Sequence, residues 1–267
     1  MTVPANVTRF LFEIPGLSET LRVTGFELEQ GLSECFRCAL EMACENAALD
    51  LPALIGKPGI LTLFDASEPQ TLHGVIAAAR QEASGRRFTT YCLELRPELF
   101  WLNYRSNLRI FQDRTVPDIV LQVLQDAGIQ GNRVRLELTG QYPQRTYCTQ
   151  FRETDLAFVE RLLAEEGIFH FFEHSADRHT LVLADSKSAH APFPDYKELR
   201  YIPAEGLVRA EEEHIFRWRI SREVQPGKFA VRDYDFEKPS VDLMVNKALQ
   251  RQYEHSNYEV YDYPGEY

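Results

Sequence analysis

Long apolar runs are missing from this 267-residue chain, and no stretch approaches the ~20 residues that a membrane span needs. Cysteine is scarce. The five present (Cys35, Cys38, Cys44, Cys92, Cys148) are an odd, dispersed set. That excludes a disulfide framework and fits reduced thiols in a cytoplasmic protein. Basic charge is also short, with 29 Lys and Arg against 40 Asp and Glu, a net charge of -11. Such a chain repels phosphate on average, so nucleic acid and anionic membrane are set aside as main partners. The first ten residues lack an apolar core behind a basic lead, so no secretory signal is read there. Without one, the sequon at Asn6-Val7-Thr8 carries little meaning. Internal repeats, low-complexity tracts and heptads are absent too.

What is present is ordinary globular material: 44% hydrophobic and 26% charged residues. A chain of this length buries roughly three quarters of its unfolded surface, enough for one large domain or two modest ones.

The first ~96 residues show period-two alternation broken by turn chemistry. Thr8, Phe10, Phe12 and Ile14 alternate up to Pro15-Gly16, and Phe36, Cys38, Leu40, Met42 and Cys44 alternate further on. Ile60 to Phe64, Leu72 to Ala79, and Tyr91, Leu93 and Leu95 add three more strands. Many short strands with regular turns predict a closed or nearly closed antiparallel barrel.

The middle changes period. Thr115 caps an expected helix with Pro117 in its first turn, Ile119, Val120, Val123, Leu124 and Ala127 share a face, and Gly128 ends it. A second helix starts at Thr154-Asp155, carries Leu156, Val159, Leu162 and Leu163, and stops at Gly167. Ile168 to Phe172 and Thr180 to Leu183 then form a β-hairpin around His174 to Asp177. Later, Trp218, Ile220 and Val224 are expected on a strand face, a turn follows at Gln225-Pro226-Gly227, and Phe229 and Val231 lead back. Ser240 is expected to cap a short helix running to about Gln250.

Candidate chemistry is thin. Cys35 and Cys38 have half of a zinc spacing, but no second pair exists and strand geometry places them on opposite faces. His170 and His174 sit in a strand, ~13 Å apart at their Cα atoms, too far for one ion. Glu165-Glu166 and Glu211-Glu212-Glu213 are adjacent carboxylates, which read as solvated acidic faces rather than an acid–base pair. Trp101, Tyr104 and Phe111 interleave with Arg96, Arg105, Arg109 and Arg114. That mixture suits a nucleic-acid strand or a glycan, but fits protein contact or plain structure better. No nucleophile elbow, zinc helix, P-loop or dinucleotide fingerprint occurs. No catalytic, cofactor-binding or metal-ligating residue is therefore assigned.

One segment is distinctive. Gln150-Phe-Arg-Glu-Thr-Asp-Leu-Ala-Phe-Val-Glu-Arg-Leu-Leu-Ala-Glu-Glu-Gly-Ile-Phe-His-Phe-Phe172 resembles the signature of the VgrG family, the spike proteins of the bacterial type VI secretion system, also called Rhs-element Vgr proteins. Phe111 to Val120, Thr180 to Asp185, Tyr234 to Pro239 and Tyr261 to Gly265 match in the same order. The resemblance implies a β-rich α+β fold: antiparallel β-barrel domains of phage tail-hub type with an α+β insertion. It divides the chain into a first hub barrel over 1–97, an insertion over 98–200 with helices near 116–127 and 155–166, and strands over 201–267 returning to the barrels. A family member continues past Tyr-Pro-Gly into the rest of the hub, an OB-type barrel and a β-helix needle, so the second barrel is expected to be incomplete in this chain.

The function implied is structural, not enzymatic, with no cofactor: a homotrimer docking on the hexameric Hcp tube for effector delivery into target cells. A threefold object meets a sixfold ring when each chain offers two similar barrels. Effector or adaptor proteins and a tip protein are implied partners through the downstream region. Assembly is expected in the bacterial cytoplasm, followed by secretion or injection. The alternative is the hub of a contractile phage tail or related injection particle. A third reading, a hydrolytic effector, has no triad or metal site to support it.

Overall fold

A computed structural model describes residues 10–64, 69–190, 198–203, 214–249, 252–254 and 257–265. The expected contributions of Asn6, Thr8, Glu211 to Glu213 and Gln250 lie outside them. The chain divides into two compact units, 1–197 and 198–267.

The first unit begins with β1 (Phe10–Glu13), β2 (Arg22–Glu29), β3 (Arg37–Cys44), the helical turn α1 (Leu51–Leu54), β4 (Pro58–Leu63), β5 (Gln70–Ser84) and β6 (Thr89–Arg96). The six strands form one antiparallel sheet in the order β1-β4-β5-β6-β3-β2. Its two outer strands come back together, and the Phe10 and Phe26 rings meet edge to face with centroids 5.2 Å apart. The sheet is thus a nearly closed barrel, as the alternation predicts.

The alternation also fixes the inside. Cys38, Leu40 and Met42 of β3 pair directly with Leu95, Leu93 and Tyr91 of β6, and with Cys44 they line one side of the core, all buried. Tyr91 resolves its buried hydroxyl by donating to the Asn46 carbonyl at 2.9 Å. Strand β5 runs to Ser84, beyond the expected end at Ala79, because its polar last third keeps pairing with β6 through two register shifts. Bulges of this kind bend a strand and help a sheet roll up.

Closure leaves no room at one point. Gly59 and Gly74 pair directly across β4 and β5. A Cβ at Gly59 would lie 2.8 Å from Leu95 Cδ2 and 2.9 Å from the Phe12 ring.

After β6 a 3-10 turn (Glu98–Tyr104) leads to β7 (Ser106–Arg114), α2 (Val116–Asp126), β8 (Val134–Glu137), β9 (Arg145–Thr154), α3 (Asp155–Glu165), β10 (Phe169–His174) and β11 (His179–Ala184). Both helices start on the threonines read from sequence. The Thr115 hydroxyl accepts from Asp118 N at 3.3 Å, and the Thr154 hydroxyl accepts from Ala157 N at 3.1 Å. Both stop on a left-handed glycine, Gly128 at φ 83° and Gly167 at φ 68°, after which Ile129 and Ile168 bond back to Leu124 and Leu163. Strands β7 and β9 make an antiparallel ribbon, while β10 and β11 form a hairpin that β8 joins in parallel. A second core unites α2, α3, the ribbon's inner face and β11, with Phe111 stacked on Phe158 at 5.7 Å.

The second unit contains β12 (Arg200–Tyr201) parallel to β13 (His214–Ile215), and a sheet ordered β15-β14-β16 from β14 (Lys228–Asp233), β15 (Leu243–Ala248) and β16 (Glu259–Asp262). Two expectations fail here. The helix from Ser240 is strand β15, because Val245 and its neighbours pair with β14 in register, Val231 opposite Val245. Apolar residues at 241, 243, 244 and 245 are too crowded for a helical stripe, and pairing decides. Trp218, Ile220 and Val224 lie in extended chain with no ladder among the described residues, and all three are exposed.

Gly59→Ala is expected to lower stability by about 1–3 kcal/mol through overpacking against Leu95 and Phe12. Gly25→Ala, with nothing within 4 Å of the new Cβ, is expected to cost less than about 0.5 kcal/mol. Urea midpoints of the two variants test this, and equal midpoints would contradict the close approach.

Candidate interaction site

The residues singled out in the sequence do not gather into one reaction centre. The arginines among the aromatics are spent on internal partners. Arg96 pairs with Glu94 at 2.8 Å and lies over Phe100. Arg109 donates to Asp155 Oδ1 at 2.8 Å, to Gln150 Oε1 at 2.9 Å and to Asp126 Oδ2 at 3.2 Å. Arg105 adds its charge on the other oxygen of Asp155 at 3.2 Å. Arg114 reaches Gln122 at 3.4 Å.

Asp155 is 1% exposed. The network around it ties β7, β9, α2 and α3 together, and a buried carboxylate needs such partners. Phe111 points inward on Phe158, whereas Trp101 and Tyr104 cluster with Phe100 on the 3-10 turn.

The adjacent glutamates are likewise structural. Glu165 and Glu166 both hold Arg145, at 2.7 and 2.8 Å, and Glu165 also holds Arg161 at 2.9 Å. Burial alone would raise the Glu165 carboxyl, but the hydrogen bonds from Arg145 and Arg161 outweigh it and hold it low. Burial pushes the Cys35 and Cys38 thiols up to about 12, so neither is a ready nucleophile. Among the described residues no three His, Cys, Asp or Glu side chains are placed to hold a metal ion.

Sequence reading missed two features. Asp185, at the end of β11, accepts from Thr139 N, Gly140 N and the Tyr142 hydroxyl at 2.6–3.0 Å. Those backbone and hydroxyl donors hold its carboxyl down to about 2. The second is a histidine seam between the barrel and the insertion. His73 on β5, His174 on β10 and His179 on β11 meet there, with His73 Nδ1 3.1 Å from His179 Nδ1. Burial drives His174 down to about 4 and His179 to about 3, and also lowers His73. The spacing of His170 and His174 in sequence gave no hint that His174 meets the backbone of His73, 101 residues away in the chain.

The surface has one apolar face within the first unit. Leu108, Ile110, Tyr147 and Phe151 all lie on the outer side of the β7–β9 ribbon and are more than 60% exposed. Their neighbours Phe111, Cys148 and Gln150 turn inward, which is the strand period at work. A 310 Å³ cleft lies between the β2–β3 turn and β10, lined by Gln30, Gly31, Leu32, Glu34, Phe36 and Phe171 among others. It converges no set of titratable groups.

A nearly closed barrel carrying a helix–hairpin insertion, with exposed apolar faces and no assembled reaction centre among its described residues, defines a protein of the tail-hub class. The family described as phage tail baseplate hub (GPD) matches residues 29–267, and the chain belongs to that family.

Its similarity extends to VgrG spike proteins of type VI secretion systems, as the ordered motifs implied. VgrG4b of Pseudomonas aeruginosa is 40% identical over 266 residues, which cover 99% of this chain and 32% of that protein. VgrG1b of the same organism is 39% identical over 252 residues, covering 94% and 34%. This chain thus spans about a third of the length of those relatives. Among solved structures, the E. coli c3393 protein, described as a component of the type VI secretion system, gives a TM-score of 0.64 at 28% identity, over 73% of this chain and 52% of that one. A prophage MuSo2 tail protein from Shewanella oneidensis gives 0.60 at 13% identity, over 95% and 72%, a likeness of fold alone.

Asp155→Ala is expected to cost about 3 kcal/mol, because it strands Arg105 and Arg109 beside a desolvated site. Chemical denaturation of the variant checks this. A loss no larger than that of removing the exposed Arg178–Asp177 pair would show that the network does not hold ribbon and helices together.

Proposed function

We propose that this chain is hub structure of a type VI secretion spike, working as a homotrimer seated on the Hcp tube and carrying no catalysis in residues 1–267. The observation that carries it is the similarity to VgrG spike proteins along nearly the whole chain, at 37–40% identity for five of them. Exposed apolar residues support it as well. An obligate interface is larger and more apolar than ordinary surface, and the ribbon's outer face has that character in the single chain. The domain scheme that goes with this function is a first hub barrel over 1–97, an insertion over 98–200 and strands of a second barrel over 201–267. Assembly takes place in the bacterial cytoplasm and precedes export into target cells. Effectors, adaptors and a tip protein are the further partners that belong to this reading.

A second reading, the hub of a contractile phage tail, draws on the fold shared with the prophage tail protein. A toxin reading attaches to the longer proteins. The Vibrio cholerae relative named actin cross-linking toxin VgrG1 is 33% identical, but the match covers 24% of it.

The test takes the full-length protein from the source cell, in sedimentation and in binding to purified Hcp hexamers. The expected outcome is a trimer that binds Hcp, and loss of Hcp from the culture medium when the gene is deleted. A monomer that ignores Hcp, with Hcp export unchanged in the deletion strain, would overturn the proposal. Tail genes flanking this gene, with no tube or sheath genes of a secretion cluster, would favour the phage reading.

A further inference from the structure

We propose that His73, His174 and His179 form an acid-released latch, which closes the seam between the barrel and the helix–hairpin insertion while neutral and parts it when protonated. The seam is built from strands distant in sequence. His73 projects from β5 of the barrel, and His174 and His179 end the two arms of the β10–β11 hairpin. The Phe36 ring of the barrel packs against all the hairpin's contributions, with centroid separations of 5.3 Å to Phe172, 5.1 Å to His174 and 5.9 Å to His179. His73 and His179 are less than a tenth exposed.

The hydrogen bonds specify the tautomers. The Glu98 backbone N–H donates to His179 Nε2 at 2.9 Å, so that nitrogen carries a lone pair. The neutral ring therefore has its proton on Nδ1 and donates it to His73 Nδ1, 3.1 Å away. Protonating His179 places a new N–H against the Glu98 N–H. Protonating His73 places one against the His179 N–H. Either proton turns a hydrogen bond into a donor–donor clash and adds a charge to a desolvated site. His174 contributes through its Nδ1, 3.3 Å from the His73 backbone N and 3.1 Å from the His73 carbonyl, while its Nε2 is buried with no hydrogen-bond partner among the described residues.

The charged neighbours do not rescue a protonated cluster. Glu98 is held by Arg133 at 2.9 Å, and Arg133 itself disfavours charge on His179. Asp177 in the hairpin turn pairs with Arg178 and is fully exposed. Both carboxylates favour protonated His73, but burial outweighs them. His170, the remaining titratable group on that face of β10, is buried without a partner on either ring nitrogen and adds to the same acid response.

The sign follows from linkage. In the parted state each ring regains its ordinary value near 6.5, while in the closed state each is depressed. The parted state therefore binds more protons. Closure is at full strength above about pH 6.5 and is lost as pH falls toward the depressed values. The opening constant grows up to about tenfold per pH unit for each histidine.

Hydrogen exchange of the full chain between pH 7.5 and 4.5, corrected for intrinsic rates, tests the latch. Peptides covering β10, β11 and the His73 part of β5 are expected to open at least about 100-fold more between pH 6.5 and 5, while β3 and β6 stay protected. His73→Gln retains an acceptor for His179, and His174→Phe retains a ring against Phe36. Each is expected to lower the slope of log opening against pH by about one, whatever it does to overall stability. A slope unchanged in both variants, or barrel and insertion opening together, would overturn the latch. Should neither variant fold, imidazole resonances of the unmodified chain decide. Titration near pH 6.5 inside a closed seam overturns the latch, and rings that stay neutral until the seam opens support it.

Discussion

The edge-to-face contact of Phe172 on Phe36 is the point through which the first unit holds together. Phe172 belongs to the insertion's hairpin, yet it packs against both hydrophobic cores. The molecule reinforces the contact with hydrogen bonds, from Ser33 N to the His170 carbonyl and from the backbone N–H groups of His73 and Glu98 to the rings of His174 and His179. Each of these bonds contributes only about 1 kcal/mol net, but each would cost more if its buried partner were left unmade. The seam is therefore specified in geometry more than it is strengthened.

The insertion follows a different logic. Its ribbon has an inner face committed to α2 and α3 and an outer face that stays largely exposed. The buried Asp155 settles which face is which. Its carboxylate has to find Arg109 and Gln150, so those residues must turn inward. Period two then sends Leu108, Ile110, Tyr147 and Phe151 outward. Rotating the ribbon to hide that apolar face would bury nothing better and would strand an ionised carboxylate. The exposed face is a consequence of the buried charge, not a lapse in packing.

Much of this was legible in the sequence wherever one local rule decides. The alternation from Phe36 to Cys44 and from Tyr91 to Leu95 predicts buried barrel strands, and Thr115, Thr154, Gly128 and Gly167 predict the helix ends. Legibility fails where distant pairing decides. Residues 243–248 have mixed propensity, and only their ladder with β14 makes them a strand. His73 and His179 carry no mark of each other, because they lie in different sheets, 106 residues apart, and meet only where hairpin and barrel pack together. The arginines beside the aromatics read as protein contact or plain structure, and the sequence could not choose between these for a related reason: composition shows charge and rings but not direction. Once direction is known, Arg96 and Arg109 are internal ties, while Tyr104 and Arg114 are exposed.

The described residues also show charge and burial spent on the fold rather than on a reaction centre. Catalytic groups need environments that pull their affinities for protons apart in a shared cleft. Here Glu165 and Glu166 are clasped by the same arginine, and the depressed histidines face one another instead of an opening. Charge and burial are used to fix strands and helices, which leaves apolar outer faces as the surface's main asset. A hub that meets its partners by symmetry has use for that arrangement, because several modest faces repeated around an axis give the area that one face lacks. Within the first unit, the aromatic and imidazole contacts around Phe36 tie the barrel to the hairpin.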